Sequence, residues 1–336
     1  MTAQARSLLQ AWEYSSSDHL LHVLPLHHIH GTINAIFTPL FAGSTIEFMF
    51  PFNADAVWKR FATPFLTPDQ HPDPNGPRPI TFFTAVPTIY SRLLTTYKFL
   101  PPDVQSAART AISPANLRLA ISGSAALPTP IKRAWSDLSE GNVLLERYGM
   151  TEVGMAISCG LDVADRVDGS VGWPLPGVEA RLVDVDTQTV IEPGAERDPA
   201  TGRERVGEIQ LRGPTIFAGY WRNPEATTKE FVDDGKSDGK GPWFKTGDVA
   251  VRRPAPEGAG QSTLPSQREW ARGDMYFILG RRSADIIKSG GEKVSALEVE
   301  REMLALPQVA EVAVVAVPSG KWGQKVGAVV VLSKEY

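Results

Sequence analysis

The sequence predicts an α/β fold: a large parallel sheet with helices on its faces, an antiparallel β unit after it, and the start of a small α+β unit at the end. Three observations predict it. Over residues 1–169, short apolar runs alternate with amphipathic helical stretches, the pattern of parallel strands joined by crossover helices. After Gly169 the apolar runs become short and are split by turns, which suits antiparallel pairing. From Ser295 a helix-start signal precedes two further apolar runs.

Taken in order, residues 3–12 read as the end of a helix and residues 20–25 as a buried strand. The strand ends in His27-His28-Ile29-His30-Gly31, followed by a mostly apolar helical stretch to Leu40. Three close histidines invite a metal reading, but no Cys or acidic residue stands beside them, and a packed turn or pocket wall is the plainer reading. Residues 44–50 form a second strand and 54–61 a helix. Residues 67–79, rich in Pro, Asp and Asn, form an exposed loop. Residues 80–86 are a strand, Pro87 opens a helix, and residues 88–97 continue it. A strand over 117–121 leads into the small-residue loop Ser122-Gly-Ser-Ala-Ala-Leu-Pro128, then a helix over 130–138. In the second half, residues 172–184, 207–212, 248–252 and 275–279 read as strands, and 254–273 as a polar loop insertion. Ser295 followed three residues later by Glu298 has the form of a capping box. Leu297, Met303 and Leu304 give that helix an apolar side. Residues 312–317 and 326–332 are strands.

The chain has 336 residues, 42% of them hydrophobic, enough for one large or two ordinary domains. The net charge of -4 and the lack of a Lys/Arg cluster argue against nucleic acid as a partner. No apolar run approaches membrane-spanning length. The single cysteine, Cys159, forbids an intrachain disulfide and suits a reducing compartment. Residues 1–12 show no signal-peptide apolar core. The expectation is an intracellular place, mitochondrial or cytoplasmic, with the compartment itself left open.

The chemistry centres on residues 143–152, Val-Leu-Leu-Glu-Arg-Tyr-Gly-Met-Thr-Glu. A short strand over 143–145 is expected to run into a sharp turn at Gly149. The Tyr148 ring can stack on a purine, Gly149 lets backbone come close, the Thr151 hydroxyl can donate to a phosphate, and Glu152 offers a hard oxygen to Mg2+. An ordinary strand-to-loop exit is the other reading. Three more pieces follow in the chain. Gly207-Glu-Ile-Gln-Leu-Arg-Gly213 leads to Gly219-Tyr220-Trp221. Trp243-Phe-Lys-Thr-Gly-Asp248 places a carboxylate after a glycine, suited to paired ribose hydroxyls. Gly280-Arg281-Arg282-Ser283-Ala284-Asp285 is followed by Gly290-Gly291.

In this order the pieces resemble the adenylate-forming superfamily of acyl-CoA synthetases, luciferases and peptide-synthetase adenylation domains. The resemblance runs from Leu24 to Leu332 and is strongest toward its malonyl-CoA synthetase branch. "VLPLHHIHG", "AVPTIYSRLL", "SGSAALP", "LLERYGMTEVGMA", "WFKTGD" and "DIIKSGGEKVSALEVE" carry it. It implies an acyl-CoA synthetase-like large domain over 1–282 and the start of the C-terminal domain over 283–336, with a hinge at about 282–284. It implies an acid–thiol ligase that uses ATP, Mg2+ and coenzyme A. Carried over by position, Ser122, Gly123, Ser124 and Ala125 line the adenine and acyl pocket. Tyr148 stacks on adenine, with Gly149 and Met150 beside it. Thr151 touches the α-phosphate, Glu152 holds Mg2+, and Asp248 takes the ribose hydroxyls. Arg281 also reaches the ribose, although the turn is one residue longer than usual and Arg282 stays open. His28 borders the acyl pocket.

The resemblance also implies a Ser/Thr/Gly-rich phosphate loop before residue 3 and a catalytic lysine beyond Tyr336. The expectation is therefore an internal piece of a synthetase of roughly 500 residues, poorly active by itself. For the acid, Arg147 and Arg92 point to a second carboxylate, hence malonate or methylmalonate, gripped through paired hydrogen bonds. Arg147 could instead pair with Glu146 or another acid, and Arg92 could be a solvated helix residue. A medium- or long-chain fatty acyl-CoA synthetase and a non-catalytic nucleotide- or acyl-binding remnant are the other readings.

Overall fold

The structure is a computed structural model that describes residues 1–66, 76–235 and 238–333. The chain opens with helix α1 (Thr2–Trp12) and strand β1 (His19–His22). A π-helical stretch, His30–Phe37, runs into α2 (Thr38–Ala42), then β2 (Thr45–Phe48) and α3 (Ala54–Ala62). Next come β3 (Phe82–Ala85), α4 (Pro87–Tyr97), α5 (Pro102–Ile112), β4 (Leu119–Gly123), α6 (Thr129–Leu138) and β5 (Leu145–Met150). Strands β2, β1, β3, β4 and β5 lie side by side in that order, all parallel. The expectation that residues 117–121 and 143–145 share one sheet holds, because Ile121 sits opposite Leu145.

Local chemistry explains the helix starts. The Asn53 side chain accepts from the Ala56 amide at 2.9 Å and caps α3. Val86 is extended before Pro87, which occupies the first turn of α4. Strands β1, β3 and β4 are buried along their whole length, which is why they read as continuous apolar runs. In β3, Phe82 packs with Trp12 and Tyr14 on one face, while its neighbour Phe83 packs with Trp58, Phe61 and Tyr90 on the other. Each such aromatic contributes about 1.5–3 kcal/mol by leaving water.

Several sequence expectations are corrected here. Helix α5 went unread because its buried face is mostly alanine, Ala107, Ala108 and Ala111, which gives little hydropathic contrast. The strand expected at 117–121 is displaced to Leu119–Gly123, so Ser122 and Gly123 belong to the strand and the loop begins at Ser124. The strand expected at 143–145 begins at Leu145 and continues through Gly149 to Met150, and the turn falls at 151–153. Gly149 therefore serves a strand and not a turn. A Cβ at Gly149 would overlap the Gly154 carbonyl of the returning strand, so its close approach is to protein backbone. The exposed loop expected at 67–79 lies largely outside the described residues.

After that turn come β6 (Gly154–Ser158), β7 (Ser170–Pro174), β8 (Glu179–Asp184), β9 (Val190–Ile191) and β10 (Gly207–Arg212). Helix α7 (Pro224–Glu230), β11 (Phe231–Val232), β12 (Trp243–Arg253) and β13 (Met275–Arg281) complete this part. The run expected as one strand over 172–184 is two strands, β7 and β8, which are not neighbours. The antiparallel part is also no separate sheet. Strands β6 and β7 continue from β5, and the path proceeds through β13, β12, β10, β8 and β9 to a sheet of 13 strands among the described residues. Residues 254–273 form no regular element, but they pack inward: Gln267 is buried and donates to the Ala11 carbonyl at 2.9 Å.

The last part is a second, four-stranded antiparallel sheet. It comprises β14 (Ile286–Ser289), β15 (Glu292–Ser295), helix α8 (Ala296–Leu304), β16 (Val309–Ser319) and β17 (Gly323–Leu332), in the order β15-β14-β17-β16. The cap at Ser295 forms, with its hydroxyl accepting from the Glu298 amide at 3.1 Å. The Glu298 carboxylate turns instead toward Arg253, at 3.4 Å.

Candidate active site

Two adjoining cavities open at the C-terminal ends of the parallel strands, where ligands bind in open α/β sheets. The first, of about 250 Å³, is lined by Ser122 in β4, by Ser124 and Ala125 after it, by β5, by Asp248 and by Arg281. The second, of about 730 Å³, is lined by residues after β1 (Val23 to Pro25), by Val86 after β3, by Ser124, and by the β5 end with Thr151 and Glu152. Strand alternation sorts the organising stretch between them. Glu146 and Tyr148 line only the first cavity, Thr151 and Glu152 only the second, and Arg147, Gly149 and Met150 line both.

In the first cavity the Tyr148 hydroxyl donates to Asp248 Oδ2 at 2.6 Å, and Arg281 Nε sits 2.8 Å from Asp248 Oδ1. Burial raises the Asp248 pKa, against the downward pull of the Tyr148 hydrogen bond and Arg281. Burial also holds the Tyr148 phenol well above its usual range. The Arg281 amide donates to Asp285 at 2.7 Å, which closes the turn. Arg282, the open alternative, faces away: its guanidinium lies 3.7 Å from Glu208 and lines neither cavity. On the cavity floor the buried Ser122 hydroxyl has no partner, a polar atom left for a ligand. Gly123 does not line the cavity. A Cβ there would lie 2.5 Å from Arg147 Cζ, so this glycine makes room for the arginine.

Arg147 joins the two cavities. It is only 4% exposed, yet its Nε has no hydrogen-bond partner. Its Nη2 donates to the Ser124 hydroxyl at 3.3 Å. Among the described residues no carboxylate forms an ion pair with it. The neighbouring acid Glu146 is taken by Lys132 at 2.8 Å. Burial pulls the Arg147 pKa down to about 10. Arg92, exposed on α4, lines the second cavity with its guanidinium 4.8 Å from the centre of the Phe52 ring. Glu152 accepts from the Tyr220 hydroxyl at 3.1 Å, and the Phe217 amide donates to the Glu152 carbonyl at 2.8 Å. These bonds bring the Gly219-Tyr220 segment under the Thr151–Glu152 turn.

Of the three histidines, His28 is exposed and lines the second cavity. Sequence reasoning passed over His30, which is buried, also lines that cavity, and holds Thr84 Oγ1 at 2.6 Å and Ser124 Oγ at 3.3 Å. Burial, with the Arg147 cation beside it, keeps His30 well below its ordinary pKa. The histidine run was visible in the sequence. Which ring turned inward depended on where the π-helical stretch began. Glu146 and, from the second sheet, Arg301 were also missed as lining of the first cavity.

This geometry and the residue pattern agree. Residues 1–221 match the family "AMP-binding enzyme", and residues 298–336 match "AMP-binding enzyme C-terminal domain". The chain belongs to the AMP-binding, adenylate-forming enzyme family. It is 63% identical to a CoA ligase of Gibberella moniliformis, over 100% of this chain and 56% of that protein. It is 42% identical to the mitochondrial malonate–CoA ligase of Homo sapiens, over 98% of this chain and 52% of that protein. The crystal structure of ATP-bound MatB from Rhodopseudomonas palustris has a similar fold: TM-score 0.72 and 33% identity, over 100% of this chain and 54% of that chain. The chain thus spans about half the length of the curated relatives it matches.

Proposed function

We propose that this chain carries the acid-activating site of an ATP-dependent acid–thiol ligase whose acid is malonate, with methylmalonate the near alternative. The observation that supports this reading is Arg147, a buried guanidinium without an acid partner that faces both cavities. An unpaired buried cation is costly. The second carboxylate of a short diacid would complete it through two parallel hydrogen bonds, and Arg92 at the same cavity adds a second positive charge. The cavity volume does not select malonate, because about 730 Å³ would admit longer acids. Charge carries the choice.

In this reading ATP places its adenosine in the first cavity. The Tyr148 ring, fixed by its hydroxyl on Asp248, presents a face to the purine. The remaining lone pairs of Asp248 accept from the ribose hydroxyls, with Arg281 alongside. Arg147 and Ser124 orient the acid. One oxygen of its free carboxylate attacks the α-phosphorus, the bond from that phosphorus to pyrophosphate breaks, and an acyl adenylate forms. The thiolate of coenzyme A then attacks the acyl carbon, and AMP leaves. Glu152, with one bond from Tyr220 and lone pairs to spare, is a hard-oxygen donor that fits Mg2+ beside Thr151; the ion when bound would offset phosphate charge. The division into a large part over 1–282 and a second part from 283 belongs to this reading and follows the two sheets.

The test grafts this chain between the flanking segments of the relative that is 63% identical and compares malonate, acetate and octanoate. Malonate is expected to be preferred. Arg147→Ala is expected to lower kcat/KM for malonate far more than for acetate. Equal losses for both acids, or a preference for octanoate, would overturn the dicarboxylate assignment.

A further inference from the structure

The first cavity is not closed by the large sheet alone. Helix α8, which belongs to the second sheet, packs against α6 and β13 and sends two side chains into the cavity wall, Leu297 and, one turn later, Arg301. Arg301 is seated over Gly169. That glycine has φ +75, and a Cβ there would overlap Arg301 Nη1 and stand 2.8 Å from its Cζ. The position therefore excludes side chains on two counts, its backbone and the guanidinium it receives. Among the described residues no carboxylate forms an ion pair with Arg301. Its charge acts on Glu146, across the cavity wall, where it pulls the carboxyl down against a larger effect of burial. The second sheet is also held at its near edge by the buried Ser295 hydroxyl, which donates to the Leu279 carbonyl at 2.6 Å, and by Ile286 against Leu279; at its far edge it is held by ion pairs, Arg203 with Glu292 at 2.5 Å, Arg253 with Glu298 at 3.4 Å, and Lys293 with Asp186. Charges this exposed are screened by salt.

We propose that Arg301 is a positioning residue for the nucleotide. It completes the wall of the AMP-binding cavity only when the second sheet is docked, so the ion pairs at the far edge of that interface set nucleotide affinity. The proposal rests on the reading that the first cavity takes the nucleotide. Its ligand is the adenosine monophosphate moiety, to which a guanidinium offers five N–H donors and a fixed charge. The Gly169 notch seats that group at the cavity wall.

The experiment is calorimetric titration of the full 336-residue chain with AMP, at low and at raised ionic strength. Wild-type protein is expected to bind AMP more weakly as salt rises. Arg301→Ala should lose about tenfold in affinity, the worth of one charge-assisted hydrogen bond, and should lose most of the salt dependence. Arg301→Lys should recover part of the affinity. Arg203→Glu, at a site remote from the cavity, should weaken AMP, and the swap Arg203→Glu/Glu292→Arg should restore it. A merely local role for Arg301 would leave the swap pair without effect. AMP binding by Arg301→Ala with wild-type affinity and salt slope, or charge reversal at Arg203 without effect, would overturn the proposal and leave the nucleotide reading standing. No AMP binding by the wild-type chain would overturn the nucleotide reading itself.

Discussion

Tyr148 and Asp248 stand 100 residues apart in the chain and meet through one hydrogen bond of 2.6 Å. That bond joins the end of the parallel strands to the antiparallel part of the sheet and fixes the aromatic ring at the cavity. Tyr148→Phe keeps the ring but removes the bond, and leaves Asp248 Oδ2 without that donor. The expected outcome is AMP binding weakened about three- to tenfold, with the larger loss for Asp248→Ala. Calorimetric titration checks it; wild-type affinity in both variants would detach the pair from nucleotide binding.

In the proposed reading, Arg147 holds function against stability. A buried cation without an acid can often be replaced by an apolar side chain of similar length with a gain in stability. Arg147→Met is expected to raise stability by about 1–3 kcal/mol while it abolishes any preference for a diacid. Denaturant midpoints measure the first effect. A midpoint lower than wild type would mean that the guanidinium is better satisfied than its hydrogen bonds indicate.

Lys132 and Glu146 form the opposite case, a buried pair whose side chains are 4% and 8% exposed. Burial alone would push the Lys132 pKa down, but Glu146 and Asp168 hold it above its usual value. Glu146→Leu leaves the buried ammonium with only the more exposed Asp168, at 3.5 Å, and should cost about 3 kcal/mol. The double variant Lys132→Met/Glu146→Leu should recover most of that loss. Equal destabilisation in the single and double variants would contradict the coupling, and a double-mutant cycle reads it directly.

Gly149 is expected to tolerate no side chain. Its missing Cβ is where the Gly154 carbonyl sits, and backbone cannot yield as a flexible side chain can. Gly149→Ala should destabilise by about 3 kcal/mol or more. Thermal unfolding beside Gly320→Ala, where no neighbour lies within 4 Å of the added Cβ and the backbone is not left-handed, separates the clash from the ordinary cost of replacing a glycine.

Stability should fall in mild acid. Burial depresses the pKa of His19, His22 and His30 in the fold, so the unfolded chain takes up protons first as pH drops below about 6.5. The unfolded state then binds more protons, and stability rises with pH through that window and levels off above it. The slope is up to about 1.4 kcal/mol per pH unit for each histidine kept neutral. His30→Asn should flatten the profile measured by urea midpoints; an unaltered profile would remove His30 from the explanation.

What the sequence determined by itself was local. The apolar runs of β1, β3 and β4, Pro87 at its helix start, the Ser295 cap and the order of the motifs all rest on interactions within a few residues, or on burial so complete that hydropathy reports it. The family and the residues Tyr148, Asp248 and Arg281 were legible for that reason. What only the tertiary structure decided depends on which face meets which neighbour. Gly149 looked like a turn residue until the return of β6 placed a carbonyl against it. The alanine face of α5 carried too little contrast to be seen. His28 and His30 stand two residues apart, and only the fold leaves one exposed and buries the other against Thr84. Arg147 could have paired with Glu146 on paper, but adjacent residues in a strand point to opposite faces, so Glu146 met Lys132 and the arginine was left facing the cavities. Arg301 reached the first cavity from another sheet, more than 130 residues after Ser170 begins β7, because long-range docking leaves no mark in local pattern.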